Sequence, residues 1–241
     1  MMELNKLYNA DCMQAMKEIP DNSIDLIITS PPYNLGNNHH TGGNRHNPYN
    51  DNMKEQDYQQ WQIELINECV RVLKSDGSMF YNHKNRIKDG LQISPYEWLF
   101  KTNILIKQEI VWFNRSQNFD KCRFYPMTER IYWLTKNPKT KLFNAINHHD
   151  LFNSSEWQAE GTQKEHKRAY PIKMVEDILS CFPDKKTVLD PFMGSGTTAI
   201  ACYNMGFDYV GYEIDKDYYN GACKRIEEVK AQIRFSDLGE L

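Results

Sequence analysis

The sequence feature that most constrains the fold is a short, mainly apolar run at residues 24–28, followed closely by two consecutive prolines. A run of this length and content is typical of a buried strand in a parallel sheet. Neither Pro31 nor Pro32 can donate a ladder hydrogen bond, and Pro32 keeps Pro31 extended. The prolines therefore predict a stiff turn at the carboxyl end of the strand, which is where open α/β sheets bind ligands.

The turn at residues 29–34 carries groups suited to a planar, amine-bearing heterocycle. Ser30 offers a hydroxyl, Pro31 an acceptor carbonyl and Tyr33 an aromatic ring. A heterocycle could lie on the ring and donate its amine hydrogens to the two oxygens. The residues alone leave an alternative open, in which the strand simply ends in a proline turn and Tyr33 is a packing residue.

A second stretch has the pattern of a nucleotide site, because a short apolar strand leads into Asp190-x-x-x-Gly194-x-Gly196 and a helix follows. The glycines let the backbone approach a ligand closely, and the helix amino terminus faces it. No Gly-Lys-Ser/Thr follows, and the third glycine of the dinucleotide fingerprint is missing. Glu213 lies 17 residues after Gly196, at the end of the next predicted strand, where a carboxylate can accept bonds from both ribose hydroxyls.

Composition narrows the class of protein. A length of 241 residues suits one α/β domain with a small insertion. The longest apolar run is far shorter than the ~20 residues that span a bilayer, and no signal-peptide core follows the amino terminus, so we expect a cytoplasmic location and no membrane partner. The six cysteines include no Cys-x-x-Cys pair and none follows a proline, which disfavours a metal site and cysteine-based cytosine methylation.

Strand and helix patterns alternate along most of the chain, and this predicts a mainly parallel sheet. Gly77 is expected to take a positive φ in a turn between a helix and a strand. The remaining predicted strands are residues 6–11, 78–82, 104–113, 131–135 and 209–215, and the main predicted helices are residues 58–73, 95–100, 171–182, 197–205 and 217–229.

Two segments break this alternation. Residues 35–55 are polar and glycine-rich, which predicts a mobile loop that contacts the substrate. Residues 137–168 are rich in Lys, Asn, His and Ser, and composition leaves two readings open: a solvated insertion, or an insert that contacts phosphates. The candidate DNA-contacting residues are Arg45, Lys136, Lys139, Lys141, Lys164, Lys167 and Arg168.

Together, the two motifs resemble those of the β-class DNA amino-methyltransferases, which use S-adenosylmethionine. Ser30-Pro31-Pro32-Tyr33 matches that family's catalytic S/D-P-P-Y/F motif, and residues 190–198 match its D-P-F-x-G-S-G-T-T cofactor motif. Asn9-Ala10-Asp11 resembles the first-strand motif whose acid contacts the cofactor adenine, and Tyr170-Pro171 resembles the start of the helix beside the cofactor.

The resemblance implies a Rossmann-like, doubly wound sheet in circularly permuted order, with the strands that end at Ser30 and Asp190 side by side. It places the target-recognition region at residues 137–168. The implied catalytic residues are Ser30, Pro31, Pro32 and Tyr33, and the implied cofactor-binding residues are Asp11, Asp190, Phe192, Gly194, Ser195, Gly196, Thr197 and Glu213.

The expected reaction is transfer of a methyl group from S-adenosylmethionine to the exocyclic amine of a base flipped out of DNA. Ser30 slightly favours cytosine N4 over adenine N6, because Ser is commoner than Asp before Pro-Pro-Tyr in the family's N4 enzymes. RNA base methylation and a non-catalytic DNA-binding module remain alternatives, whereas methylation of protein glutamine is disfavoured by Ser in place of Asn. DNA is the expected partner, and a cognate restriction endonuclease and a second copy of the chain are further candidates.

Overall fold

In this computed structural model of the chain, the described residues are 3–36, 51–114, 121–153, 156–157 and 169–238, with side chains described as far as 232. The strands are β1 Lys6–Asn9, β2 Ile24–Thr29, β3 Leu73–His83, β4 Arg86–Lys88, β5 Leu91–Ile93, β6 Leu105–Phe113, β7 Thr128–Thr135, β8 Leu151–Asn153, β9 Thr187–Asp190 and β10 Asp208–Glu213. The helices are α1 Cys12–Ala15, α2 Glu55–Val72, α3 Tyr96–Leu99, α4 Ile172–Ser180, α5 Thr197–Met205 and α6 Lys216–Leu238.

Eight of the strands form one sheet in the order β1-β10-β9-β2-β3-β7-β6-β8. The first five in this order are parallel to one another, whereas β7 runs antiparallel to both β3 and β6. The carboxyl ends of the parallel strands define one edge of the sheet, here called the catalytic edge, and the opposite edge is called the amino edge. The fold class predicted from the sequence, a mainly parallel Rossmann-like α/β sheet, is confirmed.

Helices cover both faces of the sheet because neighbouring residues along each central strand point to opposite sides. Ile27 and Leu189 pack in the layer that contains α1, α2 and α3, whereas Leu26 and Val188 pack in the layer that contains α4, α5 and α6. All four side chains are completely buried. Burial on both faces explains why these strands read as continuous apolar runs.

The point where the winding reverses lies between β2 and β9. Leu26 pairs with Val188 and Ile27 with Leu189, so Ser30 and Asp190 follow neighbouring strands although they are 160 positions apart in the sequence. Ligands bind at such switch points in open α/β sheets. The permuted strand order that the resemblance implied is therefore present.

The structure corrects the expected turn at Gly77. Strand β3 begins directly after α2, and Gly77 lies within it with an ordinary negative φ. A Cβ at Gly77 would come within 2.8 Å of the Asp25 carbonyl oxygen and 2.7 Å of Leu73 Cδ1. Glycine is required here for close packing, and the expected positive φ was wrong.

Two smaller elements were not predicted from the sequence. Strands β4 and β5 form a separate hairpin whose two-residue turn, Asp89-Gly90, has φ values of 51° and 82°. Positive φ at both turn residues is the pattern of a type I′ hairpin turn. Within the segment 137–168, β8 adds a strand to the sheet beside β6. In the described part of the chain, no helix has both the length and the apolar character to cross a bilayer.

Candidate active site

Four polar side chains from three strand ends meet at the catalytic edge. Ser30 Oγ lies 2.8 Å from the Tyr33 hydroxyl. The Tyr33 hydroxyl lies 2.8 Å from Asn82 Oδ1, near the end of β3, and 3.2 Å from Glu129 Oε2, at the start of β7. Because β7 is antiparallel to β3, its first residues lie beside the last residues of β3.

The hydrogen-bond pattern fixes the direction of the Ser30 hydroxyl. Asn82 Nδ2 donates to the Arg130 carbonyl, so Asn82 Oδ1 faces Tyr33 as an acceptor. The Tyr33 hydroxyl has one hydrogen, and it is directed to Asn82 or to Glu129. Tyr33 therefore accepts from Ser30, which leaves the lone pairs of Ser30 Oγ for a further donor.

The proline turn is held from behind by α2. The Tyr58 hydroxyl lies 2.8 Å from the Pro32 carbonyl oxygen and 2.7 Å from His83 Nε2. His83 Nδ1 donates to the Lys84 carbonyl at 2.8 Å, and the His83 ring packs on the Tyr33 ring with centroids 4.5 Å apart. Burial lowers the pKa of His83 to about 3, so its imidazole is neutral and serves as a rigid support.

Asp190 links the two motifs. Its Oδ1 accepts from Thr29 Oγ1 at 2.9 Å and from the Phe192 amide at 3.0 Å, and its Oδ2 accepts from Tyr170 at 2.8 Å and from Thr198 Oγ1 at 2.6 Å. Four donors occupy all four lone-pair positions of the carboxylate. Its pKa is raised because the group is completely buried.

The predicted cofactor contact of Asp190 is therefore corrected, since no acceptor position is left for a ligand. Its role in this structure is to anchor the glycine loop to the catalytic strand.

The glycine loop closes against Glu213 at the end of β10. Gly194 and Gly196 have φ values of 53° and 83°, which L side chains rarely adopt. The Gly194 amide donates to Glu213 Oε2 at 2.9 Å, and the Asp215 amide donates to Glu213 Oε1 at 2.8 Å. Burial raises the pKa of Glu213 to about 7, against which the two backbone donors act.

Asp11 lies next to Glu213 across paired strands. Asn9 pairs with Glu213, and its Nδ2 donates to the Glu213 carbonyl at 2.9 Å. Asp11 caps α1 by accepting from the Met13 amide at 2.7 Å through Oδ1. Two carboxylates, Asp11 and Glu213, thus lie on adjacent strand ends beside the glycine loop, an acceptor pair that suits the hydroxyls and amine of an adenosine moiety.

The remaining loop residues face other elements. Ser195 and Thr197 are buried, and the Arg225 guanidinium of α6 lies 3.4 Å and 3.3 Å from their hydroxyl oxygens. Phe192 is half-buried and packs edge-on against Trp61 of α2, with centroids 5.8 Å apart. Side-chain contacts of Ser195 and Thr197 therefore stabilise the loop, and a ligand contact at these positions would come from backbone groups.

The structure separates one group of predicted DNA-contacting lysines from the catalytic motif. Lys136 follows β7 at the amino edge, where its Nζ donates to Asn22 Oδ1 at 2.9 Å and to the Leu73 carbonyl. Lys139 and Lys141 follow it in the same connection. Arg45, Lys164, Lys167 and Arg168 lie outside the described residues, as do residues 37–50 of the predicted loop.

The two ends of that loop are nonetheless joined. Asn34 Nδ2 donates to the Met53 carbonyl at 3.0 Å, the Met53 amide donates to Asn34 Oδ1 at 2.7 Å, and the Gly36 amide donates to the Asp51 carbonyl at 2.7 Å. Residues 37–50 therefore start and finish next to the catalytic turn.

Comparisons with known proteins agree with this arrangement. The profile of the N6/N4 DNA methylase family matches residues 24–224. The type II methyltransferase M.BglII of Bacillus subtilis is 32% identical over 251 residues, covering 89% of this chain and 67% of that protein. The type II methyltransferase M.HpaI of Haemophilus parainfluenzae is 30% identical over 246 residues, covering 92% and 74%.

The chain belongs to the N6/N4 DNA methylase family. This membership confirms the resemblance drawn from the motifs, the enzyme class of S-adenosylmethionine-dependent DNA amino-methyltransferase and the cofactor. The fold of this methylase is also similar to that of the cytosine-N4-specific PvuII DNA methyltransferase, with a TM-score of 0.74 at 20% identity over 97% of this chain and 93% of that one. The M1.HpyAVI complex with S-adenosylmethionine gives a TM-score of 0.63 at 22% identity over 91% and 98%.

Sequence reasoning missed several residues of the methylase site. Asn82 was detectable in principle, because it ends a predicted strand at the catalytic edge. Glu129 was not, because its position depends on the antiparallel direction of β7. The Thr29 and Arg225 contacts join segments that are far apart in the sequence and carry no local pattern.

Proposed function

We propose that this methylase binds the amine of a target base at Ser30 and the Pro31 carbonyl and holds S-adenosylmethionine at the neighbouring glycine loop. The observation that carries the proposal is the hydrogen bond of 2.9 Å between Thr29 and Asp190. Thr29 immediately precedes Ser30, and Asp190 begins the loop, so this buried bond fixes the two half-sites relative to each other.

The residues of the glycine loop fit the cofactor. Both oxygens of Glu213 already accept one backbone hydrogen, and each retains a lone pair for a ribose hydroxyl. Asp11 Oδ2 is directed to the adenine amine. The loop amides and the amino terminus of α5 surround the ligand, and the positive φ of Gly194 and Gly196 keeps side chains from that space. When bound, the cofactor supplies a methyl group already activated by its sulfonium.

Ser30 acts on the developing charge of the amine. The lone pair of an exocyclic amine is delocalised into the ring, which makes the amine a poor nucleophile. Ser30 donates to Tyr33, so its lone pairs accept an amine hydrogen, and the Pro31 carbonyl accepts the other. These fixed oxygens favour a pyramidal nitrogen and stabilise the positive charge that develops in the transition state.

The chain has no need of a strong base at this site. A serine alkoxide is inaccessible at neutral pH, and the aminium that forms on methylation loses its proton readily to water. Precise placement of the amine by the rigid turn supplies much of the remaining acceleration. Tyr33, supported by His83, stacks on the flipped base and offsets part of the cost of unstacking, which is a few kcal/mol.

For the target atom we favour cytosine N4, with adenine N6 as the alternative, because Ser30 provides a neutral acceptor where the family's N6 enzymes more often have Asp. The relatives named above are type II methyltransferases, so we propose that the modified sites protect DNA from a cognate restriction endonuclease. We place the enzyme in the cytoplasm, where bacterial DNA lies. A homodimer is proposed as the assembly, and sedimentation tests it.

Incubation with S-adenosylmethionine carrying a labelled methyl group tests the proposal. We expect label in unmethylated bacterial DNA and none in RNA or protein from the same cells. Ser30→Ala should lower the rate of incorporation by about 10²- to 10³-fold while cofactor affinity is retained, since it removes an acceptor used in the transition state. Ser75→Ala, at an exposed position on the amino side of β3, is the matched control and should have wild-type activity.

A further inference from the structure

Two short segments form one continuous surface at the catalytic edge, here called the hairpin surface and consisting of residues 84–94 and 121–127. The first segment continues from the end of β3 and contains β4 and β5. The second leads into β7. Arg123 Nη1 donates to the Gly90 carbonyl at 3.0 Å, which joins the second segment to the tip of the hairpin.

The hairpin surface is unusually apolar for exposed structure. Ile87, Leu91, Phe124 and Tyr125 are 43%, 74%, 104% and 41% exposed. Eleven large apolar side chains are exposed in the described part of the chain, and four of them lie in these two segments. Such a concentration of exposed apolar groups marks an interaction site.

The same surface is positively charged although the whole chain has a net charge of −3. Lys84, Lys88, Lys121 and Arg123 are at least partly exposed, and Asp89 is the one carboxylate among residues 84–94 and 121–127. Arg86 does not add to this field, because it is buried and forms a two-bonded ion pair with Glu55. Cations interleaved with aromatic side chains are the pattern of a nucleic-acid surface.

The surface is also close to the catalytic turn. Glu129 lies 3.2 Å from the Tyr33 hydroxyl, and Phe124 is five residues before Glu129. Five residues span at most about 17 Å even when fully extended. A duplex that delivers a base to Ser30 must therefore pass within reach of Phe124.

We propose that duplex DNA docks on the hairpin surface, with Lys88 and Lys121 against phosphates and Phe124 entering the base stack beside the flipped base. An apolar wedge inserted between base steps is a recognised way to hold a duplex open. The proposal rests on the proposed function, and it assigns docking to this surface in place of the Lys136, Lys139 and Lys141 group at the amino edge.

The phosphate contacts are tested by the salt dependence of binding. Anisotropy with a fluorescent pool of random 40-base-pair duplexes should give a log–log slope that falls by about 1.8 in Lys88→Ala/Lys121→Ala, at about 0.9 for each contact. The matched control, Lys139→Ala/Lys141→Ala, removes the same charge at the amino edge and should leave the slope unchanged. An unchanged slope in the first variant overturns the docking assignment.

The wedge is tested by methylation kinetics. Phe124→Ala should lower kcat/KM on unmethylated bacterial DNA by at least about tenfold, since a base–aromatic stack is lost, and Phe124→Trp should restore it. Phe143→Ala removes another aromatic ring, 61% exposed, from a residue whose amide bonds to the Cys181 carbonyl, and should have no effect. Wild-type kinetics in Phe124→Ala overturn the wedge.

Two further results separate the possible failures. If the wild-type chain transfers no methyl group to DNA, the proposed function fails. If it does so while the hairpin variants bind and react as wild type, only the docking surface fails. If Phe124→Ala converts a dimer to a monomer in sedimentation without loss of DNA methylation, the surface joins two copies of this chain and the DNA proposal is overturned.

Discussion

The affinity of the methylase for S-adenosylmethionine should depend on pH through Glu213. Burial raises the pKa of Glu213 to about 7, so the carboxyl is mostly protonated at pH 6 and mostly ionised at pH 8. Each Glu213 oxygen already accepts a backbone hydrogen, and a proton would occupy a position that a ribose hydroxyl needs. The ionised form is therefore the binding form.

The magnitude follows from the populations of the two forms. With a pKa of about 7, the ionised fraction is about one-eleventh at pH 6 and about ten-elevenths at pH 8. Because the apparent Kd is the intrinsic Kd divided by the competent fraction, affinity should rise about tenfold from pH 6 to pH 8, or about 1.4 kcal/mol. The sign is fixed, because binding to the ionised form releases a proton and is favoured as pH rises.

Calorimetry over pH 6–8, in two buffers of different ionisation enthalpy, measures both the affinity and the released proton. Glu213→Gln cannot ionise, so it should bind more weakly at pH 8 and lose the pH dependence. Glu228→Gln, at a side chain that is 59% exposed, should behave as wild type. A wild-type Kd that is constant from pH 6 to pH 8, or the same pH dependence in Glu213→Gln, would refute the reasoning.

Three further substitutions test other contacts. Tyr33→Phe removes the acceptor that orients Ser30, so kcat should fall about tenfold while cofactor affinity, measured by calorimetry, does not change. Asp190→Ala leaves four donors unpaired and should lower the free energy of unfolding by about 4 kcal/mol in urea titrations, at about 1 kcal/mol for each donor. Gly194→Val forces a branched side chain to φ 53° and should abolish cofactor binding, whereas Gly206→Val, equally strained at φ 72° but at the far end of α5, should bind normally.

The strands and helices of the sheet's centre were predictable because burial on both faces writes itself into the sequence. Residues 24–28 and 187–190 read as parallel strands for that reason, and α5 was bounded correctly by Gly196 and Gly206. The two motifs also predicted which strand ends meet. Local sequence suffices where every residue of a segment has the same environment.

The rest depended on long-range geometry. Gly77 looked like a turn glycine, but its requirement comes from the Asp25 carbonyl of a neighbouring strand. Asp190 looked like a ligand contact, and only the structure shows that Thr29, Tyr170 and Thr198 converge on it. Lysine composition likewise gave no information about which edge of the sheet Lys136 would occupy.

Mass spectrometry of nucleosides from DNA treated with the wild-type chain and S-adenosylmethionine tests the central claim most directly. The account predicts a methyl group on an exocyclic amine, as N4-methylcytosine by the choice favoured here or as N6-methyladenine by the alternative. Treatment with Ser30→Ala under the same conditions should yield little of either. Formation of 5-methylcytosine, or of no methylated base by a wild-type chain that binds the cofactor, would contradict the assignment of Ser30, Pro31 and the glycine loop as an amino-methyltransferase site.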